Sequence, residues 1–214
     1  MYVSAGIRSH MNPLDKLFAQ TVASVIKKKL GEKTYTTIEK RLEERWSITV
    51  SDAIQDFNKF DAILREIFGS GADAIEYDIL NVIFSLQSSK KGSSLISIED
   101  HDLSKEILAT YGNTEKRLIL NFAFTTPAPI LDILEKCGIP KSTGYRVISE
   151  MLDDGFLMES GFSITSDGKK INKYTSLFSE VKIDIKLDIL TVQVILKDEL
   201  LTESNLVKVL KGKF

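Results

Sequence analysis

The chain has 214 residues, enough for one large domain or two small ones, with 43% hydrophobic and 27% charged residues as in an ordinary globular protein. No apolar run approaches the roughly 20 residues that span a bilayer, and no charged-then-apolar block opens the chain, so a cytoplasmic location is expected. Cys137 is the only cysteine, which excludes an internal disulfide and most cysteine-ligated zinc sites. A net charge of −2 argues against a protein held on nucleic acid by bulk positive charge, though not against a small basic face.

Residues 1–11 carry no periodicity and are expected to be a disordered tail, or sequence ahead of a start at Met11. The pattern over 12–86 is helical throughout. Asn12 suits a cap, Pro13 the first helical position and Asp15 the positive end of the helix dipole. Leu14, Leu17, Phe18, Val22, Val25, Ile26 and Leu30 form one stripe, which Gly31 ends. A second helix carries Tyr35, Ile38, Leu42 and Trp46, with Thr36 and Glu39 spaced as a capping box. A third, from near Ser51, presents Ile54, Phe57, Phe60, Leu64, Ile67 and Phe68. A fourth, from Ala72, shows Ile75, Ile79, Val82, Ile83 and Leu86. Four amphipathic helices predict a bundle or a long helical hairpin, better stabilised as a dimer than alone.

Small polar residues over 87–94 predict a linker at 87–97. A short helix follows around 102–109. Asn113 then caps a helix through Phe124 with Leu118, Ile119 and Phe122. Thr126 and Pro127 open the next, whose inner face is Ile130, Leu131, Ile133, Leu134 and Cys137. Gly138 and Pro140 break the chain, and a helix from Lys141 runs until Gly155 stops it. Ile148, Met151 and Leu152 fall on its inner face, leaving Lys141, Ser142, Thr143, Tyr145, Arg146 and Ser149 on the other. After Gly155 the period becomes two. Strands over 156–166 and 169–177 flank Asp167-Gly168, a pair suited to a tight turn. Val181, Ile183, Ile185 and Leu187 alternate with charged residues as a half-buried strand, 191–196 is another, and 203–211 predicts a last helix.

Three helices followed by a hairpin read as a winged helix-turn-helix domain over 98–178, with a C-terminal segment of strands and a short helix at 179–214. The class is mainly α with a small β part (α+β). The outer face of the Lys141 helix has the donors of a major-groove reader, with Arg146 suited to a guanine edge and Lys141 to phosphate. Tyr145 could lie on a sugar or donate to phosphate, or be half-buried at the domain surface. Lys169, Lys170 and Lys173 around the turn suit phosphate, and equally blunt an exposed hairpin edge. Lys27, Lys28 and Lys29 are better explained by the helix C-terminus they occupy. Gly69-Ser-Gly-Ala-Asp lacks the strand and lysine of a phosphate loop and predicts a helix stop and restart. Trp46 and the phenylalanines at 57, 60 and 68 read as core rather than a ligand pocket. His10 and His101 have no ligand-spaced partners, and no carboxylate stands out in an apolar setting. Neither an enzyme, a metal site nor a cofactor is expected.

Two stretches carry a resemblance. Thr114-Glu-Lys-Arg-Leu-Ile-Leu, Ile139-Pro-Lys-Ser-Thr-Gly-Tyr-Arg, Leu152-Asp-Asp-Gly-Phe-Leu and Ser166-Asp-Gly-Lys-Lys-Ile-Asn-Lys-Tyr resemble the winged helix-turn-helix domains of archaeal transcriptional regulators. Pro13-Leu-Asp-Lys-Leu-Phe through Gly71-Ala-Asp-Ala-Ile-Glu resembles the helical Nitrosopumilus output domain (type five) found beside them. The resemblance implies a regulator that binds double-stranded DNA, with an output or dimerisation domain at 12–86 that could engage a protein partner; the size of the apolar stripes and half-site geometry predict a homodimer paired through the bundle, the strands after residue 180, or both. Gly144 departs from the pattern, which usually has a larger apolar residue there. The rival expectation is a winged helix that docks a protein without touching DNA.

Overall fold

Residues 12–88, 94–187, 189–196 and 198–212 are described by the computed structural model. The expected tail at 1–11, including His10, lies outside them. Helix α1 (Pro13–Leu30) begins as its sequence predicts: the Leu14 N–H donates to the Asn12 side chain, and Gly31 ends the helix at φ +82°. That positive φ, open to glycine, turns the chain so sharply that α2 (Glu32–Trp46) starts at once. Thr36 is therefore inside α2, and the expected capping box with Glu39 does not form. The box sits instead at Thr49 and Asp52, at the head of α3 (Val50–Gln55). Asp56, at φ −113° and ψ +73°, separates α3 from α4 (Phe57–Phe68), where one continuous helix was expected. A single 3-10 turn at Gly69–Gly71 leads into α5 (Ala72–Asn81).

The helical reading stops being correct at Asn81. Phe84–Ser88 is strand β1 and Ser94–Ile98 is β2, paired antiparallel with Phe84 opposite Ile98. Much of the expected linker at 87–97 is thus sheet. The pattern Phe84-Ser-Leu86-Gln alternates as a strand should, but five residues are too few to tell from the end of a helix. After α6 (His101–Gly112), α7 (Thr114–Thr125), α8 (Ile130–Cys137) and α9 (Lys141–Asp153) come strands β3 (Leu157–Ile164), β4 (Lys170–Ser176), β5 (Phe178–Lys186) and β6 (Ile189–Leu196). One antiparallel sheet has the order β1-β2-β6-β5, and β3 and β4 form a separate two-stranded sheet. The protein is therefore α+β, mostly helical.

The four-stranded sheet puts Phe84, Ile96, Ile98, Val192, Val194 and Leu196 into the interior. Phe18 of α1 stacks on Phe84 with ring centroids 4.4 Å apart. One hydrophobic cluster runs from Leu14 to Val209 and joins the N-terminal helices, the sheet and α6–α9. Phe57 and Phe60 are buried within it, meeting edge to face, while Trp46 and Phe68 pack at its margin. The three lysines at the C-terminal end of α1 are all engaged: Lys27 with Glu32, Lys28 with Asp102, and Lys29 with the Asp78 carbonyl.

The chain ends in two helices, α10 (Asp198–Glu203) and α11 (Asn205–Leu210), split at Ser204 where a single helix was expected. Ser204 caps α11 and donates its hydroxyl to the carboxylate of Asp15, which also accepts from the Asn205 N–H at 2.9 Å. Asp15 is fully buried, and burial raises its pKa. Among the described residues no helix is long and apolar enough to cross a membrane.

Candidate nucleic-acid interface

Helix α8 ends at Gly138, in the left-handed region at φ +67°, and the Ile139 N–H returns to the Leu134 carbonyl at 2.9 Å. Pro140 then supplies the fixed φ from which α9 starts, its carbonyl accepting from the Gly144 N–H at 2.8 Å. The departure at Gly144 has a packing cause. A Cβ there would lie 2.2 Å from Cδ2 of the buried Leu134, so glycine is what lets α9 cross close to α8. Val147, Ile148 and Met151 are buried, and Leu152 is half-buried.

Lys141, Ser142, Tyr145, Arg146 and Ser149 are exposed, at a spacing that keeps them on one stripe of α9; Thr143 is half-buried. The stripe does not act as a unit. Tyr145, 46% exposed, lines an open cleft of about 610 Å³ with Ile130, Asp132, Lys170, Ile171 and Tyr174. Arg146 pairs with Glu150 one turn on. Ser149 faces a different cleft, of about 530 Å³, beside Lys16, Asp153, Glu159 and Glu203. The exposed inner-face candidate is Leu131, which α8 turns outward.

The hairpin turns at Thr165–Lys169 with Gly168 at φ +81°, as the Asp-Gly pair predicts. Its strand β3 carries a bulge at Ser160 and Gly161, and β4 gains a short antiparallel bridge from Tyr174 to Ala128. The three lysines separate. Lys169 pairs with Asp167 at 3.0 Å; that aspartate's pKa is lowered first by the Thr165 hydroxyl and then by Lys169. Lys170 lies over the Phe162 ring, 4.1 Å from its centroid, on the side of the Tyr145 cleft. Lys173 is half-buried and borders a depression shared with Lys136 and Glu135. The arrangement thus brings Tyr145 and Lys170 together and leaves Lys173 and Ser149 elsewhere. Sequence reasoning missed the exposed apolar residues of the hairpin, Phe162, Ile164 and Ile171. It also missed Asp132 in the cleft. The signal lay in the pattern of the two strands, which places Phe162 and Ile164 on one face and Ile171, opposite Ser163, on the other.

Helix α9 is held from below by α1. Lys16 Nζ donates to the Leu152 carbonyl at 2.6 Å, and Gly155, at φ +82°, packs against the Leu17 backbone, where a Cβ would come within 2.9 Å.

The expectation that no carboxylate is set apart by burial is corrected twice, by Asp15 and by a cluster of three at the α4–α5 corner. Asp61, Asp73 and Glu76 bring carboxylate oxygens within 4.8 Å of one another. Arg65 pairs with both aspartates, while Glu76 is 2% exposed and its Oε1 has no hydrogen-bond partner. Burial first, and Asp61 second, push the Glu76 carboxyl up to about 8, so it holds its proton at neutral pH.

Comparison with known protein families, with curated proteins and with solved structures found no match to this chain.

Proposed function

We propose that the protein is a sequence-specific, duplex-DNA-binding transcription regulator of the cytoplasm, in which residues 113–177 form a winged helix-turn-helix. Helix α9 enters the major groove, and the β3–β4 hairpin is the wing that lies on the backbone. The order of three helices and a hairpin supports this reading, as does the Ala128–Tyr174 bridge that adds a third short strand at the hairpin base. The observation that carries it is the exposed row Lys141, Ser142, Tyr145 and Arg146 at the N-terminal half of α9, with Lys170 across the cleft. A major-groove helix reads base edges with these positions. Arg146 must leave Glu150 to reach a guanine. An exposed helical ion pair is worth about 0.3–0.5 kcal/mol and a bidentate guanine contact about 1–3, so the exchange favours DNA.

Residues 12–86, helices α1–α5 and the start of β1, serve in this reading as the output or dimerisation part, the surface for a protein partner. No metal or cofactor takes part. The rival is a module whose hairpin docks a protein: Phe162, Ile164 and Ile171 are exposed there, and Asp167 offsets Lys169. Binding to duplexes selected from a random pool, measured at low and at physiological salt, separates the two. Affinity that falls steeply with salt supports DNA; no affinity, or affinity without a salt slope, overturns it in favour of the docking module.

A further inference from the structure

The geometry points to a two-fold dimer in which β5 of one copy pairs antiparallel with β5 of a second copy, with Ile183 on the axis. Strand β5 is an edge of the four-stranded sheet and is nine residues long, and among the described residues β6 is the only element packed extensively against it. An open edge of that length presents a row of backbone donors and acceptors that another strand completes.

The side chains specify which strand. Glu180, Lys182, Asp184 and Lys186 are all exposed and share one face, with signs that alternate. When Ile183 meets Ile183, Lys182 stands opposite the partner's Asp184 and Glu180 opposite the partner's Lys186. The symmetry repeats both pairs. On the other face Val181 meets the partner's Ile185, covering a side chain that is 62% exposed in the single copy. Sliding two residues either way puts Lys182 or Asp184 on the axis. Lysine then faces lysine and aspartate faces glutamate, or aspartate faces aspartate and lysine faces lysine. Like charges directly opposite destabilise a strand pair, so the charges exclude both neighbouring registers, and the Ile183 register pairs all four charged side chains. The result is a continuous eight-stranded sheet built from two of the observed four-stranded ones. Lys182 and Lys186 now pair within their own strand, with Glu180 at 3.3 Å and Asp184 at 2.8 Å, and the cross-strand contacts extend these pairs.

The test is sedimentation equilibrium of the full chain, without DNA, so its outcome is independent of the regulator reading. The parent is expected to dimerise in the micromolar range. Lys182→Asp, which sets aspartate against aspartate twice, is expected to weaken the dimer about five- to thirtyfold. The exchange Lys182→Asp with Asp184→Lys restores opposite charges in the same register and is expected to recover the parent constant, which also shows that the strand still folds. A parent that stays monomeric, a Lys182→Asp dimer as tight as the parent, or an exchange variant no tighter than Lys182→Asp each overturns the proposal.

Discussion

Glu76→Gln tests the buried carboxyl at the α4–α5 corner directly. Glutamine reproduces the protonated side chain in size and neutrality but cannot ionise. Burial raises the Glu76 pKa from the ordinary 4.5 to about 8. For an acid raised in the folded state, the native protein keeps a proton that the unfolded chain releases. Stability is therefore fully present below about 4.5 and falls as the pH rises through 8. At about 1.4 kcal/mol per tenfold change in proton affinity, that rise sets a ceiling of about 5 kcal/mol on the loss. Burial also raises the pKa of Asp15, Glu106 and Asp154, and these groups add the same sign in both proteins. Urea unfolding of parent and variant at pH 5.5 and pH 8.5 isolates the Glu76 share. The expected outcome is a variant more stable by about 1 kcal/mol at the lower pH, with an advantage that grows by up to about 3 kcal/mol at the higher. A parent–variant difference that does not change with pH refutes the reasoning.

Gly144→Ala gains about 1 kcal/mol of helix propensity but forces a methyl into Leu134, and a net loss of about 1–2 kcal/mol is expected by urea unfolding. Pairing it with Leu134→Ala should cost less than the sum of the two single changes, since the contact is then gone. Asp15→Ala leaves the Ser204 hydroxyl and the Asn205 N–H without their acceptor, and a loss of about 2–3 kcal/mol is expected in the same measurement. Arg146→Ala should weaken binding to a selected site by about 1–3 kcal/mol and relax one base position, measured by competition among single-base variants of the site. Lys170→Ala should weaken all duplexes alike and lower the salt slope by about one, read from affinities at several salt concentrations.

How much of this was legible depended on whether the deciding interaction was local. The start of α1 was written in Asn12 and Pro13, and the hairpin in Asp167-Gly168, because caps and turns are made by neighbours. The outward row of α9 followed from spacing alone. Strands β1 and β2 were not legible, since Ile96 becomes a strand residue by lying opposite Val194, ninety-odd residues away. Helical spacing from Ile75 to Leu86 continued smoothly over a boundary that only that pairing imposes. In the candidate interface, residue types were readable but partners were not. The local pairs Arg146–Glu150 and Asp167–Lys169 were within reach of spacing and were passed over, whereas nothing adjacent announces that Ser149 turns toward α1. The cause of Gly144 lies in Leu134, across a turn, and is visible only once α8 and α9 cross.

The tie between Asp15 and the head of α11 has a consequence for synthesis. Leu206 and Val207 are buried beside α5, and the Asn12 side chain donates to the Leu200 carbonyl. Helix α1 thus waits for residues translated 190 positions later before its surroundings are complete. A nascent chain lacking residues 198–212 keeps apolar surface of α1 and α5 open to solvent, so these helices reach their final packing only once that segment is available.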